Sequence, residues 1–202
     1  MGRQRPFVQL AARFGITPGA TAVIATMVSI GIGIALLPPL LSLNLSARGV
    51  SERTIGLLVA TTALSTLLST PFAARIAARF GTARTIAAST YVAAAIIPLV
   101  WVIRSLALLF PLVFVYGVAI TLCFVLSEYW INAVTPQKRR GFIMGLYATM
   151  LSIGFALGPG IIAVLGYASV KPFVAGSVLF ALAAIPTIMA RDLSPEFSGV
   201  TR

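Results

Sequence analysis

Apolar residues run along this chain in six long blocks, separated by short links that hold nearly all of the charge. A helix needs about 20 mostly apolar residues to cross the hydrocarbon of a bilayer. The blocks cover residues 19–41, 54–74, 85–103, 106–130, 141–166 and 172–190. The pattern predicts an all-α membrane protein with six transmembrane helices over 19–190, a tail at 1–18 and a second tail at 191–202.

The links decide which way the helices face, because cytoplasmic links carry an excess of Lys and Arg. Arg3, Arg5, Arg13, Arg75, Arg79, Arg84, Lys138, Arg139, Arg140, Arg191 and Arg202 fall on one side of a six-span layout. Arg48, Arg53, Arg104 and Lys171 fall on the other. An even number of spans returns the chain to its starting side, so both termini are expected in the cytoplasm. Pro38-Pro39 is expected to break or bend the first span near its outer end. Arg104-Ser105 should make a tight outer hairpin, and TPQKRRG at 135–141 a cytoplasmic turn.

Composition narrows the chemistry. The chain is 59% hydrophobic and 9% charged, with a mean hydropathy of +1.02, and a water-soluble domain needs far more polar surface. The net charge of +11 does not point to nucleic acid, because the positives form short clusters between apolar blocks and no basic face. There is no His and a single Cys, Cys123, which excludes an intrachain disulfide, a His or Cys metal cluster and Ser-His hydrolysis. Neither enzyme activity nor a bound cofactor or metal is expected, and Cys123 reads as a small packing residue. The basic start leads into an apolar run too long for a signal peptide and without its small-residue exit.

An ionisable group inside a membrane is a functional candidate, and one acidic residue, Glu128, falls within the blocks. Helical spacing puts Gly117, Thr121, Phe124 and Glu128 on one face of the fourth span. Two roles are open for Glu128. It could couple transport to protons, or latch spans 2, 3 and 4 together through Arg75, Arg79 or Arg84; its depth and the YWIN aromatics behind it favour the latch. In the first span Ala22, Thr26, Ser29 and Gly33 share a small, weakly polar face. In the fifth, GFALGPG at 154–160 would destabilise a helix in water by about 1 kcal/mol per glycine and about 3 kcal/mol for the proline. In lipid, small residues let helices approach closely, and proline is tolerated where neighbours satisfy the freed backbone. Tyr147, Leu151, Gly154 and Gly158 share one face of that span.

ARIAARFGTART at 74–85 resembles the loop between spans 2 and 3 of the major facilitator superfamily, commonly G-x-L-A-D-R-x-G-R-R. Arg79 and Gly81 fall on its Arg and Gly. Ala74 and Ala78 replace its first Gly and its Asp, Thr82-Ala83 replaces its basic pair, and Arg84 follows one residue late. The fifth span resembles the family's antiporter-type motif g-x8-G-x3-G-P-x2-G-G: Gly145, Gly154, Gly158 and Pro159 match, and Ile162-Ala163 stands for the last Gly-Gly. PQKRRGFIMGLY resembles the entry to that span, and RGVSERTIGLL the outer link into the second. The Arg often found in the outer half of span 4 is absent from FPLVFVYG at 110–117.

The resemblance implies a bundle of 3+3 inverted repeats, and alternating access around a site held between two such bundles. Spans 1 and 4 line that site in the family, which makes Thr26, Ser29, Gly33 and Thr121 candidate cavity residues, with Tyr147 and Ser152 on span 5. Helix packing is the other reading of the small hydroxyl residues. Arg75, Arg79, Gly81, Arg84 and Glu128 form the implied cytoplasmic loop and latch. The span-5 motif of Gly145, Gly154, Gly158 and Pro159 is the face implied to meet the other six-helix half. IGLLVATTALS at 55–65 beside MGLYATMLS at 144–152, aligned with a gap, is the trace of an internal repeat. The match is to the family's N-terminal half, so a second half is expected as a fragment's missing part, a second copy or a separate chain. With no membrane-centred Arg, Lys or Asp, the expected solute is small and neutral or amphipathic, and the antiporter-type motif implies coupling to a proton gradient. The expected location is a bacterial inner membrane. The alternative is a non-transporting accessory protein that docks through the span-5 glycine face.

Overall fold

The computed structural model describes residues 18–195. Six helices make up nearly all of it: α1 (Pro18–Ala47), α2 (Glu52–Phe80), α3 (Thr82–Val102), α4 (Leu106–Val134), α5 (Arg140–Leu165) and α6 (Lys171–Met189). All six are long and apolar enough to cross a bilayer. Short 3-10 turns, Gln137–Arg139 and Arg191–Leu193, precede α5 and follow α6. Arg3, Arg5, Arg13 and Arg202, with most of both expected tails, lie outside the described residues.

Pro38 and Pro39 do not break the first helix, one of the two outcomes the sequence left open. α1 runs through both to Ala47, and each of the other five helices also carries an internal proline: Pro71, Pro98, Pro111, Pro159 and Pro186. The bilayer explains this tolerance. Unwinding the chain there would expose more unpaired backbone than a proline does. The Ser42 hydroxyl donates to Pro38 O at 2.9 Å, one turn back along the same helix.

The links are tight, and each is closed by a specific contact. Gly81 has φ +87° and donates its N–H to Ala77 O at 2.8 Å, ending α2 one residue before α3 begins. At the opposite end Ser51 caps α2, its hydroxyl accepting from Thr54 N at 3.4 Å. Arg48 reaches from the same link to the last carbonyls of α3, donating to Trp101 O at 3.1 Å and Ile103 O at 3.3 Å, with its guanidinium 6.0 Å from the Trp101 ring centroid. A cation at a helix C-terminus satisfies carbonyls that have no partner within the helix. Desolvation lowers the Arg48 pKa from its ordinary value, and the nearby Arg104 charge acts in the same direction.

α1 is the central and most buried helix, packed on α5, α6 and α4, whereas α2 and α5 each bury one narrow stripe. The α1–α5 crossing is made by glycines. A Cβ on Gly154 would collide with Val28 O and come within 2.8 Å of the Gly31 Cα, and one on Gly158 would sit 2.9 Å from the Ala35 Cβ. The core divides around this crossing into two clusters, one centred on Met27 and Trp130 and the other on Leu36, Phe173 and Phe180. The span-5 face therefore needs correction: Gly154 and Gly158 are buried against α1 of the same bundle and are not presented outward. Gly145 and Pro159 are exposed, and a Cβ on Gly145 would meet nothing within 4 Å. An outward docking role for the glycine pair is thus closed by α1.

Contacts between helices reveal the repeat. α1 packs on α5 as α4 packs on α2, and α1 meets α6 as α4 meets α3. The register is ungapped, replacing the gapped alignment. With Gly56 set opposite Gly145, Thr62, Ser65 and Ser69 fall opposite Leu151, Gly154 and Gly158. The geometry agrees: Gly117 of α4 lies against Thr62 and Ser65, and Gly31 of α1 against Leu151 and Gly154. Both ends of the described chain reach one end of the bundle. Gly19 lies beside Trp130 and Leu193, and the Thr82 hydroxyl of the α2–α3 turn donates to Pro195 O at 3.2 Å.

Gly154→Val should destabilise the bundle by about 1–3 kcal/mol, the range for overpacking a close contact. Gly160→Ala, where a Cβ meets nothing within 4 Å, should not. Thermal melts of the two purified variants in detergent check this.

Candidate functional site

A cavity of about 590 Å³ lies between α1, α2, α4 and α5. Its floor is one face of α4, with Tyr116, Gly117, Ile120, Thr121, Phe124 and Val125. Ile34 and Pro38 come from α1, Thr62, Ala63 and Thr66 from α2, and Leu151 and Phe155 from α5. The two small-residue crossings hold these walls: Gly117 lets α2 come down on α4, and Gly154 lets α5 come down on α1. The volume falls within the range of small-molecule sites.

The lining is apolar and aromatic with a few hydroxyls, and no Lys, Arg, Asp or Glu is among the described residues that line it. The hydroxyls are locally satisfied. Thr121 donates to Gly117 O at 2.8 Å and lies 2.9 Å from the Thr66 hydroxyl, joining α4 to α2. Thr62 donates to Val59 O at 2.6 Å, and Tyr116 crosses to α1, donating to Gly33 O at 2.7 Å. A threonine oxygen bonded in this way keeps acceptor capacity for a donor on a solute.

The sequence candidates divide sharply. Thr121 lines the cavity. Thr26 does not: it is fully buried against α6, donating to Ala22 O at 3.0 Å and Ala183 O at 3.2 Å and pairing with the Thr187 hydroxyl at 3.0 Å. Gly33 packs under Phe180 of α6 and supplies the carbonyl for Tyr116. Ser29 is half-buried and Ser152 exposed, and neither lines the cavity. Tyr147 is buried, its ring 6.5 Å from Phe124, with a hydroxyl that has no hydrogen-bond partner among the described residues.

The latch is not formed. Glu128 makes no ion pair with Arg75, Arg79 or Arg84; among the described residues an ion pair joins Arg191 to Asp192 at 3.5 Å on the surface. The arginines lie on outward faces, Arg75 over the Phe72 ring at 5.8 Å and Arg79 over the Phe80 ring at 5.5 Å. Glu128 is half-buried on the inner stripe of α4, within electrostatic range of Tyr147. Matching depth along the bundle axis did not bring the two groups to the same side.

The model for the Major Facilitator Superfamily matches residues 7–200. The chain belongs to this superfamily. A relative, Multidrug resistance protein 2 of Bacillus subtilis (strain 168), is 27% identical over 170 residues, covering 82% of this chain and 42% of the relative. The chain thus spans less than half the length of that relative. Superfamily membership, with six spanning helices, makes this a multi-pass membrane protein of a transporter family, which points to transport and away from enzyme activity.

Within the superfamily frame, candidates drawn from spans 1, 4 and 5 missed Thr62 and Thr66 of α2 and Leu151 and Phe155 of α5. A signal for the first two was present: TTALST puts Thr62 and Thr66 one turn apart, on the same face as Ser65, which meets α4.

In a chain with Cys123 changed to Ala, Thr66→Cys and Phe155→Cys should react with a small maleimide in membranes. Thr26→Cys should stay unreacted until the protein is denatured. Equal labelling at all three positions would contradict the placement of Thr26 against α6.

Proposed function

We propose that this chain forms one six-helix half of an alternating-access transporter for a small neutral or amphipathic solute. The observation that supports this most is the charge-free cavity of about 590 Å³ on the α1, α2, α4 and α5 side. Its aromatic and aliphatic walls would bind an apolar body, and the Thr66–Thr121 pair would receive a polar end. The name of the Bacillus relative, a multidrug resistance protein, favours the drug/proton antiporter branch. In the family plan the other wall of such a cavity belongs to a second six-helix half, supplied by a continuation of the chain, a second copy or a separate protein.

The basic residues Arg75, Arg79, Arg84, Lys138, Arg139 and Arg140 support a cytoplasmic placement of the α2–α3 and α4–α5 links. This gives N-in, C-in topology in a bacterial inner membrane. Glu128 is the proposed proton-coupling residue: it lies on the cavity stripe of α4, one turn beyond Phe124, beside the unpaired Tyr147 hydroxyl.

Flux of an amphipathic dye in vesicles, with the second half present, tests the reading. Thr121→Trp should fill the cavity and lower flux by about tenfold or more, an energy of at least about 1.4 kcal/mol, when compared at equal amounts of folded protein. Undiminished flux would refute the cavity assignment. Glu128→Gln should leave downhill dye movement intact while removing its response to an imposed pH gradient; a variant that still follows the gradient would place coupling elsewhere.

A further inference from the structure

A second amphipathic site lies outside the solute cavity. α2 and α3 part from the turn at Gly81 and touch each other little, leaving α4 as the floor of a groove of about 480 Å³. Phe80 and Val92 form its sides, and Val115, Val118 and Leu122 its floor. Arg79 and Arg84 stand at one end. Beyond them a recess of about 670 Å³, lined chiefly by polar groups, shares Arg79, Phe80 and Arg84 and adds Thr82, Arg191 and Ser194. An apolar compartment and a polar one therefore meet at two guanidinium groups.

We propose that the groove and recess together hold one anionic glycerophospholipid from the surrounding leaflet. Its phosphodiester lies between Arg79 and Arg84, and one acyl chain runs along α4. Charge supports this occupant. Among the described residues neither arginine has a carboxylate partner: Ala78 stands where the family's loop carries Asp, and Asp192 in the recess is taken by Arg191 at 3.5 Å. Depth supports it too. The 29 residues of α2 span about 43 Å at 1.5 Å per residue, against about 30 Å of hydrocarbon. The last turn of α2, which holds Arg79, therefore reaches the headgroup layer. From Arg84 to Val92 the groove follows α3 for about 12 Å into the apolar zone. A free anion would fill the recess and leave the groove unexplained.

The test is lipid retention by the purified full chain, read by native mass spectrometry, with phosphatidylglycerol and phosphatidylcholine of matched acyl chains as probes. Phosphatidylglycerol should be retained selectively. Arg79→Gln with Arg84→Gln should weaken retention by about twenty-five-fold, the product of about fivefold for each basic side chain near a lipid phosphate. Val92→Trp, which fills the groove and keeps both arginines, should also weaken it. Changing Lys138, Arg139 and Arg140 to Gln should not. Equal retention of the two lipids, displacement of phosphatidylglycerol by excess inorganic phosphate, or an equal loss from the triple change would overturn the proposal. If the double arginine variant fails to fold, the lipid comparison and Val92→Trp decide the question on their own.

Discussion

Backbone contact at two helix crossings is the constraint on which this bundle depends. Lipid tails are as apolar as the side chains they touch, so burying leucine between spans gains little, and short-range packing must hold the helices together. At Gly31 and Gly154 the α1 and α5 backbones meet with no room for a Cβ, and at Gly117 the α4 backbone receives Ser65 of α2 in the same way. These crossings set the spacing of the four helices around the cavity. Thr66 can bond to Thr121, and Leu151 and Phe155 can wall the opposite side, because the residues beside them are small.

Much of the architecture was legible in the sequence, since a bilayer fixes helix length and excludes other backbone conformations. The six blocks and the short link at Arg104-Ser105 follow from that. The direction in which small residues face was far less legible. α1 has helices on several sides, so its pattern offers no polar edge from which to read an orientation. Thr26 and Thr66 look alike in sequence, yet Thr26 ties α1 to α6 and Thr66 lines the cavity. Gly154 and Gly158 suit an outward or an inward contact equally well, and only the position of α1 decides between them. Glu128 shows the same limit: sequence fixes depth well, and rotation about the helix axis poorly.

The hydroxyl groups divide into two populations. On α2 and α5, Thr61, Thr70 and Thr149 each return their proton to the carbonyl four residues back, which suits a surface facing lipid or another bundle. Thr121 and Thr66 lie within reach of such carbonyls but also of each other, so one of their two protons is shared between helices. The pair is therefore both structural glue and the polar part of the cavity wall. Tyr116 likewise holds α4 to α1 through Gly33 O while its ring faces the cavity.

The ungapped register also bears on how such a chain enters a membrane. Three helices are an odd number, so the second copy of the repeat lies upside down relative to the first. Two copies with identical charges would give contradictory insertion signals. The register that matches Gly56 with Gly145 also brings the start of α3 at Thr82 onto the start of α6 at Lys171. It sets Arg75, Arg79 and Arg84 opposite Val164, Ala168 and Phe173. The packing code is shared between the copies, whereas the basic clusters are not: the first copy carries its own in the α2–α3 link and the second carries Lys138, Arg139 and Arg140 at the start of α5, so biogenesis can distinguish two modules that the folded bundle treats as equivalent.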